Sequence, residues 1–143
     1  MTYILTDNEK SFLNEICRPA WEDTRKQGKQ TLGGHCLPLS SVAAIVLTER
    51  RFRNANWRVV GGDVETPTGR VGHFWLEGNS ADRSFFLDIT SDQFGYVCPS
   101  FLAKRPENYH LGQQPSDLFE HAIQEMIVEA RERLGKFDLA PDN

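Results

Sequence analysis

The order of the sequence patterns predicts an α+β fold, in which helices pack on a small antiparallel sheet. Two helical patterns come first, followed by short runs of aromatic and β-branched residues, and a long amphipathic pattern lies near the end. The chain has 143 residues, a length that suits one domain better than two. We therefore treat residues 1–143 as a single domain.

The first helix has a clear start signal. Thr6 followed by Glu9 is a capping box, in which each residue bonds the backbone amide of the other. Apolar residues then recur at helical spacing: Phe12, Leu13, Ile16, Cys17, Ala20 and Trp21. Pro19 lacks the amide hydrogen that an interior turn needs, so we expect it to kink or split the helix. The glycine-rich residues 25–35 then predict a loop.

The second helix carries the most apolar face of the chain, formed by Leu39, Val42, Ala43, Val46 and Leu47. Its start is ambiguous, because Pro38 follows Cys36 by two residues and proline suits the first helical turn. The helix therefore begins at Cys36, at Pro38 or after Ser40. It ends in the segment ERRFRN, whose arginines complement the negative end of the helix dipole.

The middle of the chain predicts an antiparallel meander. Residues 57–60, 71–77 and 85–90 are short β-prone runs separated by glycine, proline and asparagine clusters. Residues 93–102 predict a further strand, which Pro99 restricts to an edge or a loop. Ser116 then predicts the start of a last helix, and Gly135 predicts its end. Its apolar residues are Leu118, Phe119, Ala122, Ile123, Met126, Ile127, Ala130 and Leu134.

Composition argues against several classes of protein. A net charge of −4 is atypical of nucleic-acid binders, which usually carry a basic stripe. No apolar run approaches the roughly 20 residues that span a bilayer, so no membrane partner is expected. The N-terminus has no secretory signal pattern, and three cysteines without a CxxC pair do not predict disulfides. We expect a cytoplasmic protein with reduced thiols.

The segment HFWLEGNSADRSFFLDIT predicts a hairpin with two different faces. With the turn centred between Ser80 and Ala81, His73 lies opposite Asp88. One face is then apolar, formed by Phe74, Leu76, Phe85, Leu87 and Ile89, and the other carries His73, Trp75, Phe86 and Asp88. Directly opposed side chains are close enough for an imidazole–carboxylate hydrogen bond.

An imidazole held by a carboxylate is half of a nucleophilic catalytic site, and Cys36 is the candidate for the other half. A free thiol is only about 3% ionised at pH 7, so it needs activation by a histidine as well as by a helix N-terminus. Gly33 and Gly34, just ahead of Cys36, leave room for a substrate backbone. The Cys36 amide could stabilise an oxyanion together with a side-chain amide, either Gln30 or Gln93.

A cysteine at a helix start, a His-x-Trp strand and an aspartate within FLDITSDQF resemble the transglutaminase-like and papain-like cysteine hydrolase superfamily. The resemblance covers residues 30–95. It implies that Cys36 is the nucleophile, His73 the base and Asp88 the orienting acid, on a papain-like or transglutaminase-like core. It also implies a protein or peptide substrate, and the spacing from Gln30 to Cys36 resembles that of the papain-type oxyanion glutamine.

The leading hypothesis is a cysteine-dependent acyl-transfer enzyme: a protease or amidase, a glutamine deamidase or a transglutaminase. The alternative is a non-enzymatic protein-binding module, such as an inactive member of the same fold. Zinc is a third option, since His35, Cys36, His73 and Cys98 are suitable ligands, but they lack the paired spacing of structural sites. We expect no metal or cofactor. Trp75 either walls a substrate cleft or packs in the interior.

Overall fold

The computed structural model describes residues 3–30, 35–96, 98–115, 123–137 and 139, and it confirms the α+β class. Its helices are α1 (Asp7–Lys26), α2 (Cys36–Glu49) and α3 (Gln124–Leu134). Its strands are β1 (Asn56–Thr66), β2 (Gly69–Ser80), β3 (Arg83–Asp88), β4 (Ser100–Leu102) and β5 (Tyr109–Leu111). The strands form one sheet in the order β4-β3-β2-β1-β5, and every neighbouring pair is antiparallel.

Helix α1 begins at the predicted capping box. The Thr6 hydroxyl accepts a hydrogen bond from the Glu9 amide at 3.1 Å, and the Glu9 carboxylate accepts one from the Thr6 amide at 2.8 Å. The predicted split at Pro19 is wrong, because the helix continues through it. Buried residues on both sides of Pro19, including Ile16 and Ala20, hold the two halves against one core.

Helix α2 begins at Cys36, with His35 as its cap, so Pro38 occupies the first turn. This settles the start that the sequence left open. The helix packs on β1 and β2 and also contacts α1 and α3. Its residues from Leu39 to Ala44 are all buried, so little of its middle faces solvent. Cys36 is thus the first residue of the central helix of the helical layer.

The arginines that follow α2 bind to other parts of the fold. Arg50 donates to the carbonyl oxygens of Leu134 and Phe137, which lie at and just beyond the end of α3. Arg53 forms an ion pair with Glu9 at 2.7 Å. These contacts join α2 to α3 and α1, in addition to any interaction with the dipole of α2.

The sheet carries apolar side chains on both faces. Leu76, Phe85 and Leu87 belong to the large core beneath the helices. A smaller cluster on the other face contains Val60, Val64, Trp75, Phe86 and Tyr109. The predicted division of the hairpin into two faces is therefore confirmed, although Phe74 is only half-buried.

The predicted register of the β2–β3 hairpin is wrong by two residues. Ser80 pairs with Arg83 and Leu76 with Leu87, so the turn is Ala81 and Asp82. Both registers have a two-residue turn, the commonest hairpin connection, and the observed turn lies one position later along the chain. Because side chains alternate with a period of two, this shift preserves both faces. His73 is consequently displaced along the sheet from Asp88 and not directly opposite it.

Other strand boundaries also differ from the predictions. Strand β1 continues to Thr66 through Gly61 and Gly62, where low β-propensity conceals the strand. Of residues 93–102, only Ser100–Leu102 form a strand, and β5 was not predicted. Ser116, Leu118, Phe119 and Ala122 lie outside the described residues. In α3, Ile127, Ala130 and Leu134 are buried as predicted, whereas Met126 is exposed.

The apolar segments of the helices are short. Within the described part of the chain, no helix has an apolar stretch long enough to cross a bilayer.

Two glycines of the sheet offer a matched test of its packing. A Cβ atom at Gly62 would lie 1.9 Å from the His110 carbonyl oxygen and 2.8 Å from the Trp75 ring, whereas one at Gly72 meets no atom within 4 Å. We expect Gly62→Ala to lower the free energy of unfolding by about 1–3 kcal/mol. Gly72→Ala should leave it unchanged or raise it by up to about 1 kcal/mol. Urea denaturation measures both, and equal effects would contradict the described β1–β5 contact.

Candidate active site

Three elements each bring one predicted site residue to the same place. Cys36 is the first residue of α2, His73 lies in the middle of β2, and Asp88 is the last residue of β3. The His73 Nε2 lies 2.7 Å from Asp88 Oδ2, and both side chains are fully buried. The half-buried thiol of Cys36 lies beside the His73 imidazole, and hydrogen-bonding and charge interactions between them shift the pKa of both groups. The structure thus places the three residues in contact in the predicted order.

The Asp88 carboxylate accepts hydrogen bonds at both oxygens. Oδ1 accepts from the Thr90 amide at 3.0 Å and from the Thr90 hydroxyl at 3.3 Å. Oδ2 accepts from the Tyr109 hydroxyl at 2.6 Å, as well as contacting His73. A buried carboxylate is stable only when such partners replace its lost hydration. The four contacts fix the position of Asp88.

The imidazole ring is fixed by its other neighbours. The Gln93 side-chain Nε2 lies 3.2 Å from His73 Nδ1 and donates to the Thr90 carbonyl, also at 3.2 Å. Phe94 meets the ring edge-on at 4.8 Å between centroids, and Trp75 stacks on it at 6.1 Å with an interplanar angle of 27°. Nε2 faces Asp88 and Nδ1 faces Gln93. Nδ1 is therefore the ring nitrogen that can exchange a proton with Cys36.

The protonation equilibria of His73 and Cys36 are linked. Burial alone would lower the pKa of His73, but its hydrogen bonds and charge interactions with Asp88 and Cys36 raise that pKa to about 9. Burial alone would raise the pKa of the Cys36 thiol, but His73 and two backbone amides reverse this and lower it. Both shifts favour a thiolate beside an imidazolium.

The two backbone amides that lower the pKa of the Cys36 thiol belong to Leu37 and Phe74. Leu37 is in the first turn of α2, where amide hydrogens have no partner within the helix. Phe74 is the β2 residue after His73. The thiol therefore lies between the start of the helix and the margin of the strand, and both amides stabilise its negative charge.

The remaining predicted site residues have different positions. Gln93 lies at the His73 ring, whereas Gln30 is exposed after α1, and no described contact joins it to Cys36 or His73. Gly34 lies outside the described residues. Of the two alternatives for Trp75, the structure shows interior packing and not a cleft wall, because its side chain is fully buried and its ring nitrogen donates to Glu77 at 2.8 Å.

Sequence reasoning missed two groups that hold Asp88. Thr90 lies within the FLDITSDQF segment, and an Asp-x-Thr turn is a known hydrogen-bonding pattern. Tyr109 lies 21 residues after Asp88 on a three-residue strand too short to show periodicity. Burial and the nearby charge of Asp88 raise the pKa of the Tyr109 phenol, so it stays protonated and acts as a donor.

The other cysteines are in a different environment from Cys36. Both Cys17 and Cys98 contact the Ile89 carbonyl oxygen, at 3.8 and 3.2 Å. Burial is the main cause that raises the pKa of each thiol. Within the described residues, no three histidine, cysteine, aspartate or glutamate side chains form a metal-binding cluster.

Comparison with solved structures gives a distant likeness. The chain is similar to the structure of the catalytic domain of the Salmonella virulence factor SseI, with 22% sequence identity and a TM-score of 0.44. The match covers 71% of this chain and 64% of that one. No protein-family model matches the chain, and no curated protein does.

The hydroxyl of Tyr109 can be tested apart from its ring. We expect Tyr109→Phe to lower the free energy of unfolding by about 1.5–3 kcal/mol, because it removes a donor from a buried carboxylate. Tyr96→Phe is the matched control, since the exposed Tyr96 hydroxyl accepts only from Asn108 in the described contacts. That change should stay within about 0.5 kcal/mol. Equal effects in urea denaturation would contradict the described role of Tyr109.

Proposed function

We propose that this protein is a cysteine-dependent acyl-transfer enzyme that acts on an amide carbonyl, with Cys36 as nucleophile, His73 as general base and acid, and Asp88 as the residue that orients His73. The observation that carries the proposal is the contact of the thiol with an imidazole whose other nitrogen binds a buried carboxylate. Such an arrangement is typical of activated thiols. The pKa shifts of both groups support it.

The reaction follows from the ion pair. The Cys36 thiolate attacks the carbonyl carbon, and the protonated His73 gives its proton to the departing amine as the carbon–nitrogen bond breaks. This leaves an acyl group on the sulfur. Water, deprotonated by His73, then attacks the thioester carbon. The carbon–sulfur bond breaks, which releases a carboxylic acid and restores the Cys36 thiolate beside the protonated His73. An amine in place of water gives transamidation, so hydrolysis, deamidation and transamidation share this chemistry.

Asp88 acts on the proton transfer through His73. Its hydrogen bond to Nε2 keeps Nδ1 facing the thiol, and its charge stabilises the imidazolium that forms. Tyr109 and Thr90 hold the carboxylate in this position. Because the carboxylate is fixed before the substrate arrives, the imidazole needs no reorientation during the reaction.

Gln93 supplies the side-chain donor to the oxyanion. When His73 is neutral, Nδ1 accepts from the Gln93 amide; once Nδ1 is protonated it no longer accepts. The Gln93 amide is then available for the oxygen of a substrate bonded to the adjacent sulfur. The Cys36 backbone amide is the second donor. Gln30, the alternative raised by the sequence, is not near this position in the described contacts.

The resemblance of the Cys36, His73 and Asp88 pattern to papain-like and transglutaminase-like enzymes supports a protein or peptide substrate. We include that substrate class in the proposal.

Alkylation kinetics test the nucleophile. Because the pKa of Cys36 is lowered and that of His73 is raised to about 9, the ion pair forms in the pH range between the two pKa values. We expect the rate at which iodoacetamide alkylates Cys36 to fall less between pH 8 and pH 6 than that of an ordinary thiol. An ordinary thiol with a pKa near 8.5 slows by nearly two orders of magnitude over the same range. Mass spectrometry of digested protein resolves the three cysteines.

Two variants accompany this measurement. His73→Ala should slow Cys36 alkylation at pH 6 at least about tenfold, since one pKa unit corresponds to a tenfold change in thiolate. His110→Ala is the control, because His110 pairs with Glu65 at 2.7 Å, away from the thiol. Equal and slow labelling of Cys17, Cys36 and Cys98 would contradict the proposal and favour a binding module.

Hydrolysis of p-nitrophenyl acetate separates the two candidate glutamines. Loss of one oxyanion donor typically lowers kcat about 100-fold to 1,000-fold. We expect Gln93→Ala to lower the rate of nitrophenol release by about this factor, while Gln30→Ala leaves it within about twofold. The opposite result would assign the oxyanion role to Gln30 and refute that of Gln93.

A further inference from the structure

The margin of β2 nearest Cys36 has no described partner strand. Strand β1 pairs with β2 along its whole length, from Gly69 to Asn79. On the other side, β3 pairs only from Leu76 to Ser80 and ends at Asp88. Within the described parts of the chain, no strand pairs with residues 70–74 on that side. Outward-facing backbone groups there point away from β1 and meet no partner strand among the described residues.

The pairing pattern shows which backbone groups point outward. Ser80 and Arg83 flank a two-residue turn, so they form a hydrogen-bonded pair. Alternation along β2 then directs the amide and carbonyl of Gly78 and Leu76 toward β3. By the same alternation, those of Phe74, Gly72 and Arg70 point to the open margin. The interaction of the Phe74 amide that lowers the pKa of the Cys36 thiol agrees with this direction.

Gly72 is the nearest outward-pointing residue to Phe74. Two residues of strand span about 6.6 Å, so the amide and carbonyl of Gly72 lie about this far along β2 from those of Phe74. Gly72 is exposed, and a Cβ atom there would meet no atom within 4 Å. By contrast, Cβ atoms at Gly61, Gly62 and Gly78 would lie less than 3 Å from neighbouring atoms. No described contact of this chain requires a glycine at position 72.

We propose that the open margin of β2 at Arg70, Gly72 and Phe74 binds the main chain of an extended polypeptide substrate as an added strand. The Gly72 amide donates to a substrate carbonyl, and the Gly72 carbonyl accepts from a substrate amide. The attacked carbonyl then lies at Cys36, opposite Phe74. This inference rests on the proposed function, and it narrows the substrate class to polypeptide segments free of helical structure.

Strand addition is a recognised mode of peptide binding, in which main-chain hydrogen bonds supply affinity. It fits this site because the same margin already directs one amide at the nucleophile. Arg70, whose side chain pairs with Glu65 at 3.0 Å, places a charge at the far end of the margin. Charged residues at strand edges oppose pairing with further copies of the same chain.

The test uses acetyl-tetra-alanyl chloromethyl ketone, which alkylates a thiol as chloride leaves. One N-methyl group is placed on each backbone amide in turn. Methylation removes one donor, and a strand uses every second amide. We expect methylation of one amide to slow alkylation of Cys36 about threefold to tenfold, the value of one backbone hydrogen bond. Methylation of the adjacent amide should have much less effect.

A protein variant provides a second measurement. Gly72→Pro removes the outward amide without removing a bond to β1, and proline is tolerated at such edge positions. We expect it to lower the ratio of the unmethylated peptide rate to the iodoacetamide rate about threefold to tenfold. Val71→Ala is the control, because the Val71 amide faces β1, and it should leave the ratio unchanged. If Gly72→Pro does not fold, the methylation series on the unmodified protein decides.

The outcomes separate this inference from the proposed function. Rapid Cys36 alkylation without alternation between methylated amides would overturn strand addition and leave the nucleophile intact. Dimerisation that Gly72→Pro abolishes, with peptide rates unchanged, would assign the margin to a second copy of the chain and also overturn the inference. If neither reagent prefers Cys36 over Cys17 and Cys98, the proposed function itself fails.

Discussion

The buried carboxylate of Asp88 is the constraint on which the rest of the site depends. A charge removed from water must be matched by donors, and removing one partner of such a group is far more costly than losing an exposed ion pair. Here the partners come from β2, from β5 and from the turn after β3. A single group thus determines how three segments meet, and their meeting point is where His73 faces Cys36.

The position of the thiol follows from where the sheet ends. Strand β3 stops at Asp88 while β2 continues toward Gly69. The N-terminus of α2 lies beside the part of β2 that extends beyond β3. The Cys36 sulfur is therefore close to both the imidazole and the Phe74 amide. The His73 ring belongs to the face opposite the helices, with Trp75 and Tyr109. It meets the thiol at the margin of β2 and not through the sheet.

The sequence predicted the parts of this arrangement that depend on periodicity. The capping box, the apolar face of α2 and the two faces of the hairpin are local patterns, and burial imposes them directly. The register of the hairpin was missed by two residues because a two-residue shift leaves the alternation unchanged, so hydrophobicity cannot distinguish the alternatives. The contact between His73 and Asp88 nevertheless forms, since a diagonal pair remains within reach.

Periodicity could not predict contacts between residues that are far apart in the sequence. Tyr109 reaches Asp88 from a strand of three residues, which shows no period of its own and is held by pairing with β1. Nor does the spacing of glutamines show which of them faces the nucleophile. Gln93 reaches His73 because the Ser91–Phe94 turn follows β3 directly, a consequence of the turn geometry.

The short strand that carries Tyr109 makes one part of the site less stable to heating than the rest of the fold. Brief edge strands open locally at a lower free-energy cost than central ones. Opening of β5 would withdraw the phenol and admit water to the carboxylate while β1, β2 and β3 stay paired. Amide exchange in β5 would then be faster than in the centre of the sheet. On warming, the alignment of the imidazole would be lost at temperatures below that of global melting.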